Sequence, residues 1–307
     1  MDEIKRKIEQ KLNNPGIVEK IVDGLSNSEL NSFCLELFRK QSEKIKPADL
    51  LKQFKQSRFS SAAKIDLLGY KEYEIEWLKK AKDNGFQLIQ LSPLAPMGTC
   101  SAVGLVNQNN VVSASRSTEV VSDATNVLAL QVASDFQSDK SKDIIKYCTA
   151  HRHTRAQSFD NPSFSAHFGA FCMVTGGLDS GSYSFELEHL EEHFRFYSNI
   201  CSEEFPDNLV VKIYFKKASE DFKTKLIERL KEYFDKLKIQ EDNADNTNDY
   251  YQTVRLKTFV KYKGNEIDLF DMGFVDWTQK LLNNKKHRLL ISGCGLELAY
   301  KIKSGII

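Results

Sequence analysis

At 307 residues, 41% hydrophobic and 28% charged, the chain has an ordinary folded protein's composition and length for one large domain or a domain with an appendage. Lysine plus arginine (43) against aspartate plus glutamate (42) leaves a net charge of +1, which argues against wholesale neutralisation of a nucleic-acid backbone and allows only a local basic patch. No apolar run reaches the length of a bilayer span, MDEIKRKIEQ lacks the apolar core of a secretion signal, and six scattered cysteines without a C-x-x-C pair read as reduced thiols of a cytoplasmic protein.

Residues 1 to 66 read as a helical appendage with no chemistry of its own. Ile4, Ile8 and Leu12 lie four apart, and Asn14-Pro15-Gly16 closes that helix. Ser26 and Glu29 have the spacing of a capping box, opening a helix that would turn Leu30, Phe33, Cys34 and Leu37 inward. Pro47 opens a third helix, as a first-turn proline can. Next, Tyr70, Tyr73, Trp77, Leu78 and Ala81 make one helical stripe, Gly85 stops it, and FQLIQL is a short strand ended by Pro93 and Pro96. A Gly/Ser/Thr/Asn-rich passage leads to a strand at Val111-Val112. A helix follows from Asp123 to Phe136, with Leu128, Val132 and Phe136 inward. Arg116, Thr118 and Glu119 lie in the polar connection between them, either plain loop surface or a small-ligand pocket.

Tyr147 to Gly177 reads as two buried strands joined by a long polar loop. That hairpin would gather Arg152, Arg155, Gln157 and Phe168 at its loop end, where guanidinium forks beside an aromatic face suit a nucleotide. Arginines in such a loop also commonly meet solvent or a carboxylate. Tyr183 to Ile200 is helical and contains His189-Leu190-Glu191-Glu192-His193, the H-x-x-E-H pattern of some zinc hydrolases, which also arises by chance on Glu/His-rich helices. Leu209 to Phe215 is a strand, and Ser219 caps a helix with Phe222, Leu226, Leu230, Phe234 and Leu237 on its apolar face. EDNADNTND is a solvated acidic loop. Val254, Leu256, Thr258 and Val260 then alternate along a strand that turns at Lys263-Gly264-Asn265 into EIDLFDMGF. Asp276-Trp277 begins a helix, NNKKHR is basic, and the last piece is a strand, a Gly-x-Gly turn and a helix.

In this order the parts from 67 to 303 resemble the catalytic core of class II aminoacyl-tRNA synthetases, nearest to the histidyl group. The resemblance implies an α+β fold, an antiparallel sheet flanked by helices, with the core over 67–307 and the helical appendage over 1–66. Glu72 to Pro93 resembles motif 1, the family's dimer interface, which implies a homodimer. Arg152-His153-Thr154-Arg155 resembles the start of motif 2, whose arginine holds the ATP α-phosphate. Phe168-x-x-Phe171 resembles the next strand, whose first phenylalanine stacks on adenine. Gly293-Cys294-Gly295-Leu296-Glu297 resembles motif 3. Arg116 to Glu119 resembles the loop that receives the amino acid's ammonium group, and Asp271 to Trp277 a worn glycine-rich amino-acid loop.

The implied activity is ATP- and Mg2+-dependent activation of an amino acid or similar carboxylate, with transfer to a tRNA, a carrier or a small molecule. Arg152 would be catalytic; Arg152, Arg155, Phe168, Gly293, Gly295 and Glu297 would hold the nucleotide. Glu297 would also hold the metal, and Arg116, Thr118, Glu119 and Gln157 the amino-acid-like substrate. Three positions depart from the pattern: Thr154 replaces a glutamate, Val174 a substrate-facing carboxylate, and Leu298 the motif 3 arginine. Without that arginine, Arg155, Lys285, Lys286 or Arg288 would have to steady the pyrophosphate. The alternative is a non-catalytic paralogue similar in kind to the regulatory subunit of ATP phosphoribosyltransferase, and a zinc hydrolase on His189 and His193 is the third.

Overall fold

The computed structural model describes residues 2–157, 165–205, 208–216, 218–233, 238–241 and 251–306. Four short helices come first: α1 (Asp2–Leu12), α2 (Ile17–Gly24), α3 (Asn27–Ser42) and α4 (Pro47–Gln56). The sequence pattern resolved three of these; α2 is the addition. Ser26 and Glu29 form the expected capping box at the start of α3. The expected inward face does not form, since no described residue before Tyr70 is buried. Phe33 and Leu37 are 41% and 50% exposed, and Ile4, Ile8 and Leu12 also stay exposed. Amphipathic spacing says that a helix has an apolar side, not that the chain supplies a cover for it.

The core begins at α5 (Leu67–Asp83), whose Tyr70, Tyr73, Trp77 and Ala81 are buried as their spacing requires. The strand expected over FQLIQL is reduced to β1 (Gln87–Leu88), and β2 (Leu94–Pro96) begins a separate small sheet. A π-helical turn (Thr99–Val103) and a 3-10 turn (Gln108–Asn110) follow, where the sequence showed only a polar passage. The strand expected at Val111-Val112 lies two residues later, as β3 (Ser113–Ala114), and the polar connection becomes β4 (Thr118–Val120). Short strands without alternation carry little period-2 signal. Asp123 caps α6 (Ala124–Ser138) through the Thr125 N–H, and Leu128 and Val132 are fully buried.

The hairpin β5 (Ile144–Thr154) and β6 (His167–Leu178) is paired as expected, although its connecting loop, 158–164, lies outside the described residues. Then come α7 (Ser184–Glu204), β7 (Leu209–Phe215), α8 (Glu220–Tyr233) and β8 (Lys238–Glu241). Phe222, Leu226 and Leu230 of α8 are buried; Phe234, Leu237 and the acidic loop to 249 are outside the described residues, save the strand at 238–241. β9 (Val254–Tyr262) and β10 (Asn265–Val275) form the expected hairpin, turned by Lys263 and Gly264 with φ of 49° and 81°. The chain ends with α9 (Trp277–Leu282), β11 (His287–Cys294) and α10 (Leu296–Lys303).

The main sheet has the order β1-β5-β6-β11-β10-β9-β7-β8, antiparallel except for the parallel outer pairs β1–β5 and β7–β8. One face is covered by α5, α7, α8 and α10, and the other by α6 and α9. The first face holds an aromatic knot, in which Trp77 packs edge-on to Phe171 at 5.4 Å and Phe171 stacks on Phe196 at 5.6 Å. Truncating a fully buried side chain such as Trp77 to alanine costs about 3–5 kcal/mol. On the second face α6 covers only part of the sheet. Beyond its N-terminus the sheet floor is open, and that opening is the cavity described next.

Candidate functional site

Register decides which side chains can meet. In the β5–β6 ladder His153 pairs with Phe168 and Arg152 with Gly169. Paired residues share a face, and successive residues alternate. His153 and Phe168 therefore look out on the α6 side, with Arg155 two residues on, whereas Arg152 points through to the α5 side. The two arginines are three apart and do not converge.

A cavity of about 320 Å³ lies on the α6 side, above Phe168, Ala170 and Cys172 of β6 and Ile291 and Gly293 of β11. Asp123, His153, Arg155, Tyr251 and Asp271 form part of its rim, and Glu297, Leu298 and Lys301 of α10 close one end. A second hollow, of about 430 Å³, shares Asp123, Arg155, Tyr251, Asp271 and Gly293 and extends to Asn110, Gln157 and Arg255. The Arg155 guanidinium carbon lies 5.2 Å from the Phe168 ring centre, and its Nε donates to the Ser122 carbonyl at 3.2 Å. A Cβ on Gly293 would meet only Cys172 Sγ, at 3.8 Å, so this glycine keeps floor space open rather than relieving a clash.

His153 is 2% exposed. Its Nε2 accepts the Ala124 backbone N–H at 3.0 Å, so the hydrogen of the neutral ring sits on Nδ1, which is buried without a protein partner. Burial drives its pKa down to about 3 in spite of nearby Asp123. Asp271 pairs with Arg255 at 2.9 Å, yet burial still pushes its carboxyl above the usual range. Burial also raises the Cys172 and Cys294 thiols well above their ordinary value, which leaves both without nucleophilic character.

The remaining expected site residues lie elsewhere. Arg152 borders a different hollow with Tyr70 and His167; its Nε donates to His167 Nδ1 at 2.8 Å and its Nη1 pairs with Glu297 at 3.1 Å. Glu297 is 1% exposed and spent on protein partners, accepting from Lys301 at 2.8 Å and from the Gly169 N–H at 3.1 Å besides Arg152. Gly295 borders the cavity ahead of α10. Glu119 is buried away from the cavity and accepts from the Gly98 and Cys100 N–H groups and the Gln108 amide. Thr118 donates to the Ser115 carbonyl, and Arg116 is exposed with φ 66°. The Asp271 to Gly273 segment is not a loop; it lies inside β10, where Gly273 makes room for the Tyr251 ring. Arg288 stands at the far end of β11, paired with Glu186 and Asp179.

The metal-hydrolase pattern does not assemble. Both ring nitrogens of His193 are engaged, with Thr175 at 2.8 Å and Ser292 at 2.7 Å, and His189 bonds Glu192, itself held by Lys146 at 2.6 Å. These are buried polar groups satisfying one another between α7 and the sheet. Among the described residues no three His, Cys, Asp or Glu side chains are grouped to hold a metal.

ATP with Mg2+ fits this lining poorly. Four carboxylates, of Asp123, Asp268, Asp271 and Glu297, face two cations, Arg155 and Lys301. Each carboxylate has a protein partner already: Thr125, Lys257, Arg255, and Lys301 with Arg152.

The overall fold is similar to that of class II aminoacyl-tRNA synthetase-like cores. No family profile and no curated protein matches the sequence. Among solved structures, it is similar to an ATP phosphoribosyltransferase regulatory subunit/histidyl-tRNA synthetase from Bacillus halodurans, at 12% identity and a TM-score of 0.62 over 80% of this chain and 82% of that one. An apo histidyl-tRNA synthetase from S. aureus matches at 14% identity and a TM-score of 0.58, over 79% of this chain and 71% of that one. The RNA binding domain of a threonyl-tRNA synthetase from Cryptosporidium parvum matches at 8% and 0.59, over 80% and 65%. At these identities the likeness establishes the fold. No helix among the described residues is long and apolar enough to cross a membrane.

Proposed function

We propose that this chain is a ligand-binding or regulatory module on a class II synthetase-like core, and that it does not form aminoacyl adenylates. The observation that carries this reading is the ladder register, which turns Arg152 away from the cavity and ties it to Glu297. The two groups that would neutralise an α-phosphate and hold a metal thereby neutralise each other. Leu298 adds to this, placing an aliphatic side chain on the cavity wall where a synthetase-like site would need a cation.

The test is amino-acid-dependent exchange of labelled pyrophosphate into ATP across the common amino acids. No exchange is expected, together with a thermal shift from a small ligand. Exchange with any amino acid overturns the reading and restores the ligase. The homodimer also belongs to the proposal, supported by Leu67, Leu68, Leu88 and Leu94, which are exposed on α5 and the strands beside it. Light scattering at micromolar concentration checks it.

A further inference from the structure

Ion pairing separates α4 from the helices before it. Lys5 pairs with Glu19 and Lys7 with Glu3, and Arg39 is held between Glu36 and Glu43, so α1 and α3 meet these cations with carboxylates of their own neighbourhood. Lys44, Lys46, Lys52 and Lys55, ahead of and along α4, have no carboxylate within ion-pair distance among the described residues. Residues 44–58 carry five cations and one aspartate, a net +4; the whole chain is +1, which leaves −3 for all the rest.

The same helix has an uncovered apolar side. Leu50, Leu51 and Phe54 are 56%, 56% and 53% exposed, and Ile45 ahead of the helix is 39% exposed. At about 100° per residue the three helical ones fall within about a third of the circumference, with Lys55 at the adjoining edge and Lys52 beyond it. Asp49, the one acid, lies in the first turn, where the helix dipole favours it.

Charge and apolar surface together select what covers this side. A second copy would set one +4 segment against another, which repulsion opposes. A nucleic acid would use the lysines and leave Leu50 and Leu51 in water. An anionic lipid surface takes both, with the lysine stems along the apolar side, their ammonium groups on the headgroups, and Leu50, Leu51 and Phe54 in the acyl boundary. At 10 residues α4 is too short to cross a bilayer. We infer that α4 is a membrane-docking helix that lies in the plane of an anionic leaflet. Docking there does not depend on what the cavity binds.

Co-sedimentation of the full chain with phosphatidylcholine vesicles, plain or carrying about 30% phosphatidylserine, tests this. The chain should pellet with the anionic vesicles and stay in solution with the plain ones, and binding should fall about tenfold or more when salt rises from about 0.1 to about 0.5 M. Lys52→Glu with Lys55→Glu should abolish binding, and Leu51→Gln with Phe54→Gln should weaken it about tenfold at unchanged charge. All four side chains are exposed, so both double variants should keep the native Tm and a loss of binding is not a loss of fold. The assignment is overturned if the chain ignores anionic vesicles, if the glutamine pair binds them as well as the native chain does, or if an equal concentration of single-stranded RNA phosphate strips the chain from them.

Discussion

Replacing Glu297 by glutamine separates a structural carboxylate from a metal ligand. Glutamine keeps the volume and can still accept from the Gly169 N–H, so no cavity opens. What goes is charge. Lys301, 12% exposed, loses its partner at 2.8 Å beside a side chain only 2% exposed, a nearly desolvated charge-assisted bond that contributes about 1.5–3 kcal/mol. The Arg152 pair adds a few tenths at most, because Arg152 is 41% exposed and solvent screens it. The expected loss is about 2 kcal/mol in urea denaturation at pH 7, a fall of several degrees in Tm.

The sign with pH follows from the carboxyl's environment. Burial pushes its pKa up, but the Lys301 bond and charge, Arg152 and the Gly169 N–H more than offset that and hold it below the ordinary 4.5. The contribution is therefore full above about pH 4.5 and is lost as pH falls through the folded value. Native and variant curves should converge on acidification. Equal stability at pH 7, with weaker Mg2+ binding in the variant, would refute the reasoning and reinstate Glu297 as a metal ligand.

Arg155→Ala should reduce ligand affinity in the cavity at least tenfold, whereas Arg152→Ala should leave it within about twofold; calorimetry on both variants decides which face is used. Gly169→Ala places a Cβ 1.8 Å from the Tyr70 hydroxyl and should cost about 2–3 kcal/mol, and adding Tyr70→Phe should recover more than half of it in a double-mutant cycle. His153 and His193 are both held neutral by burial, with pKa values near 3, so stability should fall as pH drops below about 6.5 and unfolding at pH 5 should take up about two protons at these rings. Calorimetry in buffers of different ionisation enthalpy measures that uptake.

Much of the architecture was legible because period and punctuation agreed. The α5 stripe through Tyr70 and Trp77, the capped α6, and the β9–β10 hairpin at Lys263-Gly264 all combine a clean repeat with a turn or cap residue. The site was legible only in part. Phe168, Arg155 and Gly293 line one cavity, but Arg152 does not join them, since alternation counted from Tyr147 puts 149, 151, 153 and 155 on one face and 152 on the other. That signal was available and would have exposed His153 as the cavity residue. Tyr251 had none, since its place depends on long-range packing against Gly273 of β10, and Asp271 reads in sequence as part of a loop although it lies inside a strand paired with β11. Glu119 was a polar residue in a polar stretch, and nothing local said that its carboxylate would be buried under two backbone amides.

The leading segment through Ser61 is tied to the rest by polar bonds. Asn31 bonds Ser117 both ways, Arg58 reaches the carbonyls of Ala156 and Gln157, and the Ser61 carbonyl meets His167. With no buried side chain to anchor it, such a segment can lift off at far less cost than the core melts. Two of its grips sit directly beside Arg155, so a truncation that spares every core residue would still unclamp the cavity's doorway. Affinity measured on a shortened chain would then describe a different entrance.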